Sequence, residues 1–194
     1  MCYHFSVDKR EEKTLRKVYQ SFACLLKEKG YENLSVNDLI KKAEISRSTF
    51  YAHFKSTKDV LSSFCDSIFD HVFSLKLEKE AGHDFSKSRL LSPTRYLTHI
   101  FYHFYEDRDL ISSILNSEGS YVFLNELKRR SLPFMNDLIE EGYIKYDDIP
   151  SSMVLTVTTE SFAALLSSWV KDGCLSSPEQ MCGYFLTFFF SSIR

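Results

Sequence analysis

"LSVNDLIKKAEISRSTFYAHF", residues 34–54, is the stretch whose reading decides the fold. Val36, Leu39, Ile40 and Ala43 recur at three- and four-residue steps, which draws an apolar stripe along about two helical turns. Ser35 with Asp38 three residues later reads as a capping box, with Asp where Glu or Gln is usual. Glu44-Ile45-Ser46 interrupts the pattern, and Ser46 is a good N-cap for a second short helix ending at His53 or Phe54. Phe50 and Phe54 share its inner face, with Ile45 helping to pin it; Arg47, Ser48, Tyr51 and Thr49 are left on or beside the outer face. Helix, short turn, helix is the spacing of a helix-turn-helix, whose second helix lies in the DNA major groove. A plain three-helix packing unit has the same spacing.

Working outward, the pattern before this stretch is helical from Asp8 to Lys29, through Leu15, Val18, Tyr19, Phe22, Leu25 and Leu26. Glu11 and Glu12 open it and Lys27 and Lys29 close it, as the helix dipole favours, and Gly30 supplies the stop. After the stretch, a helix opens at Ser56 or Thr57 and runs to about Glu80, followed by a loop over 81–93. Further helices are expected over Thr94–Tyr105, Arg108–Asn116 and Tyr121–Glu141, the last broken or kinked by Pro133 and ended by Gly142. Ser151–Lys171 follows Pro150, and Pro178 opens a final helix to about Ser192. The expectation is an all-α protein of about nine helices without strands, with no internal repeat. A three-helix helix-turn-helix domain, 1–55, precedes a helical effector-binding and dimerisation domain, 56–194.

Composition agrees. Apolar residues make up 44%, with 17 Phe and 11 Tyr, enough to bury a sizeable core, while six Gly and four Pro are too few for an all-β fold with many turns. No apolar run reaches the ~18 residues of a membrane span, and the N-terminus lacks a signal-peptide stretch. A cytoplasmic location away from any membrane is the default expectation. Five Cys form no CxxC pair, and no zinc-like spacing, nucleophile elbow or Gly-rich phosphate loop is found; Cys24 and Cys65 read as packed thiols. No enzyme activity, catalytic residue, cofactor or metal is therefore expected. Residues 1–60 carry twelve Lys/Arg against eight Asp/Glu, and residues 61–194 twelve against eighteen. The net +4 of the first part suits a polyanionic partner, although ordinary scatter can produce as much.

"LSVNDLIKKAEISRSTFYAHFKSTKDVL" resembles the DNA-binding domain of the TetR family of bacterial transcription regulators, which usually reads T-V-x-D-I-A-x-x-A-G-V-S-x-x-T-F/L-Y-x-H-F-x-S-K-E-x-L. Ser35, Val36, Asp38, Ala43, Ser46, Thr49, Phe50, Tyr51, His53, Phe54, Ser56 and Leu61 fit, within a match over about residues 12–62. Two positions depart: Glu44 stands where the family has its turn Gly, and position 57 is Thr, with Lys at 58. If position 44 needs a positive φ, Glu is strained where Gly would not be.

The resemblance implies that Tyr51 and His53 touch phosphates, joined by Lys55 and Lys58. It implies that Ser35 and Asn37 meet the backbone or a base edge, and that Ser46, Arg47, Ser48 and Thr49 face the groove. Arg47 can read a guanine through O6 and N7 or hold a phosphate, and both readings stay open. His53 can alternatively cap its own helix. Since one unit covers half an operator, a homodimer on a palindromic double-stranded operator is expected.

In the second domain, Phe162, Leu166, Trp169, Tyr184, Phe185, Phe188 and Phe189 are dimer-interface candidates, because large apolar faces often mark interfaces. They can also fill the protomer core. "SSWVKDGCLSSPEQM", residues 167–181, resembles a TetR subgroup that includes regulators of the dihydroxyacetone kinase type. Phe69, Phe73, His99, Phe101, His103, Tyr105, Phe123 and Phe134 are candidates to line the pocket of an unknown small-molecule effector. An aromatic stripe at this spacing is also ordinary core. His99 and His103, one turn apart, lack the third ligand a metal site needs. The expected function is a sequence-specific DNA-binding regulator, a repressor released by its effector. The alternative is a regulator or adaptor whose second domain binds a partner protein.

Overall fold

The computed structural model describes residues 9–73 and 93–189. Among the described residues there are nine helices and no strand. They are α1 (Lys9–Lys29), α2 (Val36–Ala43), α3 (Arg47–His53), α4 (Thr57–Val72), α5 (Pro93–Glu106), α6 (Arg108–Leu115), α7 (Ser120–Glu140), α8 (Ser151–Lys171) and α9 (Pro178–Phe189). The expected continuation of the fourth helix to Glu80, and the loop to residue 92, lie outside the described residues. Pro93, expected at the end of that loop, is instead the first residue of α5, where its fixed φ suits a helix start. The expected break at Pro133 is absent: α7 runs through it, with the ring on the exposed side where water can take the carbonyl it leaves unbonded.

The chain forms two compact units. The first comprises Met1–His71 with Asp109–Glu126, and the second Val72–Arg108 with Leu127–Arg194. The core of the first unit is built on aromatic rings. Phe22 and Phe64 meet at 5.4 Å, Tyr19 and Phe64 at 5.7 Å, and Tyr19 and Phe54 at 6.5 Å. Leu39 and Phe50 are fully buried beside them. Each such side chain contributes roughly 1.5–3 kcal/mol on burial, so α2 and α3 are held on α1 and α4 despite their shortness. The turn between α6 and α7 belongs to this unit, and the amide of Glu118 donates to Glu32 Oε1 at 2.8 Å. At Gly119 in that turn an added Cβ would come within 2.9 Å of Leu61 Cδ2, so the buried Leu61 side chain would have to shift to admit it.

In the second unit α5, α8 and α9 share one core. Phe101 packs against Phe162 at 5.9 Å and Trp169 at 5.6 Å, and Phe162 against Phe185 at 5.7 Å. Tyr102 donates to Glu179, and Trp169 Nε1 donates to the carbonyl of Ser176 at 3.0 Å. Sequence reading found no uninterrupted apolar run of membrane-spanning length. As a whole helix, though, α8 is long and apolar enough to cross a membrane by length and composition alone. Its Val and Leu alternate with Ser and Thr. About half of it is buried, and outward-facing Glu160 pairs with Lys128 at 3.0 Å. The helix thus has the features of a core helix.

Candidate nucleic-acid interface

The interface is assembled by its helix ends. Asp38 accepts from the Ser35 amide at 2.9 Å and from the Ser35 hydroxyl, while Ser35 Oγ accepts from the Asp38 amide at 3.3 Å. This is the capping box expected from sequence, complete with Asp in the Glu position. Lys29 Nζ adds an ion pair at 2.6 Å, and with the Ser35 bonds it holds the Asp38 carboxyl well below the usual carboxylate range. On α3, Ser46 Oγ accepts from the Thr49 amide at 3.0 Å and shares hydroxyl bonds at 2.8 Å with Ser48 and Thr49. Part of the hydroxyl cluster is therefore local capping machinery.

Between the two helices the backbone makes a left-handed turn. Glu44 stands at φ 54°, ψ 47°. Its amide donates to the Lys41 carbonyl at 3.3 Å, and the Ile45 amide to the Ile40 carbonyl at 3.2 Å. This is a Schellman closure. The same pair of bonds closes α7, where Gly142 holds the equivalent position at φ 78° and the Tyr143 amide reaches Leu138 at 2.9 Å. Position 44 does need a positive φ, and a glutamate occupies it.

The closure sets which side chains face out. Phe50 and Phe54 are buried, whereas Ile45 is only half-buried. Asn37, Arg47, Ser48, Tyr51, Lys55 and Lys58 are exposed, Tyr51 at 56%. The Tyr51 ring stands edge-on to Phe50 at 5.4 Å, which fixes where its hydroxyl projects. His53 is half-buried with Nδ1 3.6 Å from Glu11 Oε1. Ser35 and Ser46 are exposed but act as caps, and Thr49 is half-buried beside them. Arg47 Nη2 donates to Asn37 Oδ1 at 2.8 Å, a contact that sequence spacing did not suggest. Nearby, Lys42 pairs with Glu28 at 2.8 Å, and that bond, together with one from Cys24, holds the Glu28 carboxyl low.

The expected pocket residues do not form one group. Phe69 and Phe123 are fully buried in the first unit with rings 5.2 Å apart. In the second unit Phe101 belongs to the aromatic core, half-buried Tyr105 stacks on Trp169 at 6.3 Å, and Phe134 meets Tyr96 at 4.7 Å. Phe73 is half-buried. His99 and His103 are buried with their Nε2 atoms 2.9 Å apart, and Tyr96 stacks on His99. Burial pushes the Tyr96 hydroxyl pKa up. Among the described residues no three of His, Cys, Asp or Glu gather as a metal site would require.

Of the expected dimer residues, Phe162, Leu166, Trp169 and Phe185 point into the second unit's own core, while Tyr184 and Phe188 are exposed and Phe189 is half-buried. Met153 and Val157, four apart on α8 and part of the apolar surface that sequence reading set aside for dimerisation, are exposed too, whereas the exposure of Tyr146 and Ile149, and of Leu175 at 89%, was not anticipated. The i, i+4 spacing of Met153 with Val157 and of Tyr184 with Phe188 puts each pair on one helix face.

A short helix pair with opposed buried and exposed faces, carried on an aromatic core and followed by a helical unit, defines an all-α helix-turn-helix protein. Residues 23–63 match the family described as "Bacterial regulatory proteins, tetR family", and residues 92–190 match "Transcriptional regulator C-terminal region". The chain belongs to the TetR family of bacterial transcriptional regulators, whose members bind DNA operators and act as dimers. A TetR transcriptional regulator from Streptococcus agalactiae superposes with a TM-score of 0.68 at 29% identity, over 95% of this chain and 97% of that one. The HTH-type regulator YuxN of Bacillus subtilis is 29% identical over 54% of this chain and 35% of its own length. The dhaKLM operon transcriptional activator DhaS of Lactococcus lactis is 30% identical over 46% of each. The aligned parts cover 23% to 46% of the curated relatives' lengths.

Proposed function

We propose that this chain binds a specific double-stranded DNA operator through α3 and regulates transcription from it in the bacterial cytoplasm. The observation that carries the reading is the opposition of faces on α3: Phe50 is fully buried, while Arg47, Ser48 and Tyr51 stand exposed on a helix capped by Ser46. Such a helix is fixed in angle by its core and presents donors to a groove. Tyr51 and His53, with Lys55 and Lys58, are the phosphate contacts of this reading. The operator is palindromic because two copies act together, joined through the exposed apolar residues of α8 and α9. The second unit takes a small-molecule effector, whose differential affinity for the free and DNA-bound states lowers operator occupancy, so the regulator represses. The functional boundary of this reading falls at 55/56.

A second reading is favoured by DhaS, a relative named as an activator. Here the bound chain stays on its operator and raises transcription. Selection of bound duplexes from random DNA by the purified chain tests the DNA claim. Recovery of an inverted repeat whose affinity falls steeply with salt is expected, and recovery of unenriched sequence sinks the claim. A reporter fused to the recovered operator separates repression from activation.

A further inference from the structure

The Arg47–Asn37 contact points to a particular base. Asn37 lies in the first turn of α2 and Arg47 opens α3, so the 2.8 Å bond from Nη2 to Oδ1 spans the motif's turn. Both side chains are exposed, and neither serves the core, which Leu39, Phe50 and Phe54 fill. The helix caps belong to Ser35 and Ser46. An Arg at the first position of a helix meets the positive end of the dipole, which favours swinging it away into solvent. Asn37 instead holds it across the outer surface of the motif.

Hydrogen-bond chemistry then limits what the couple can read. A free Asn recognises adenine by offering one acceptor and one donor together. Here the Asn37 carbonyl oxygen accepts from Arg47, which engages one of its two lone pairs, and the guanidinium it holds carries donors and no acceptor. The Arg47 end of the couple therefore presents donors alone. In the major groove guanine offers two acceptors side by side, O6 and N7, whereas adenine offers one acceptor beside a donor, thymine one acceptor beside a methyl, and cytosine a donor. We propose that Asn37 is a positioning residue that fixes Arg47 on a guanine in each half-site and so sets the base preference at that step. The proposal rests on α3 being the groove-reading helix.

The test uses the full chain and the duplex recovered by selection, with single guanines replaced by 7-deazaguanine, which lacks N7, or by inosine, which keeps O6 and N7. At one guanine per half-site, 7-deazaguanine should weaken the unaltered protein by roughly tenfold or more, and inosine should change little. This arm uses no variant, so folding cannot confuse it. Asn37→Ala and Arg47→Ala should both lose the 7-deazaguanine penalty at that same position. Asn37→Ala should lose more affinity for the operator than for random DNA and should keep its helical content and thermal midpoint, whereas a merely structural role would lower both affinities together. A penalty that persists in Asn37→Ala overturns the positioning role. If no guanine carries a penalty and Arg47→Ala weakens operator and random DNA alike, Arg47 is a phosphate contact and the proposal is wrong, while α3 remains the DNA helix. Failure to select any operator removes the underlying reading and the proposal with it.

Discussion

The Ile45 amide reaches the Ile40 carbonyl at 3.2 Å only because Glu44, between them, adopts a left-handed backbone at φ 54°. A side chain there costs about 1 kcal/mol that glycine avoids, less what glycine loses in unfolded-chain entropy. Glu44→Gly should therefore raise stability by up to about 1 kcal/mol, moving the thermal midpoint by roughly 2–4 °C in a chain of this size. Glu44→Ala keeps the strained φ and should leave the midpoint almost unmoved. Both remove a negative charge beside the proposed DNA face, so both should tighten DNA binding, more at low salt than at high. Calorimetry with titrations at two ionic strengths separates the two effects. A Glu44→Ala variant as stable as Glu44→Gly would show that charge, not backbone, is what position 44 resists.

The Asp38 carboxyl carries a pH signature. Lys29 and Ser35 hold its folded pKa below the unfolded value near 4. The sign follows from linkage: the unfolded chain binds the proton more readily, so this stabilisation is complete above the unfolded pKa and lost as pH falls towards the folded one. Urea unfolding measured from pH 6 down to about 3 should show wild type losing more stability than Asp38→Asn. At pH 6 the variant should be the weaker of the two, since it loses the charge that pairs with Lys29. Parallel curves for the two proteins would mean that the box does not depend on charge.

These two sites were legible in the sequence because they are local. A capping box spans four residues, and the left-handed closure follows from where the α2 stripe ends. The contacts that were not legible are those between distant residues or across the turn. Glu32 accepts from the Glu118 amide 86 residues away, and Arg47 reaches Asn37 ten residues back. Neither bond follows from a periodic pattern. The α8 and α9 faces were hidden for another reason. Apolar residues recur around most of α8, which gives hydropathy little direction, so buried Phe162 and exposed Val157 looked alike until the aromatic partners of Phe162 were placed.

The buried pair His99 and His103 offers a third measurement. Their Nε2 atoms lie 2.9 Å apart, a distance at which one ring donates to the other. Replacing one histidine with Leu leaves the other's Nε2 without that bond, at a cost of about 1–3 kcal/mol. Replacing both removes the polar pair together. The double variant should therefore be less destabilised than the sum of the single ones, by roughly 0.5–3 kcal/mol. Denaturant unfolding of the four proteins gives this difference directly. Additive losses would mean that the two rings do not act as a pair.

The exposed and buried apolar residues of α8 and α9 should separate assembly from stability. Val157 and Phe188 are 58% and 70% exposed, while Phe162 and Phe185 are fully buried. If two copies join through the exposed face, Val157→Glu with Phe188→Glu places charges where a partner must exclude water, and burial of unpaired charge opposes association. Sedimentation at micromolar concentration should then find monomers whose helical content by circular dichroism matches wild type. Phe162→Ala should instead lower protomer stability by about 3–5 kcal/mol through the cavity it leaves. The monomeric variant should also lose affinity for a two-half-site operator far more than for an isolated half-site, because linked binding at the second half-site is gone. A charged variant that sediments as a dimer would place the interface on another surface of the second unit.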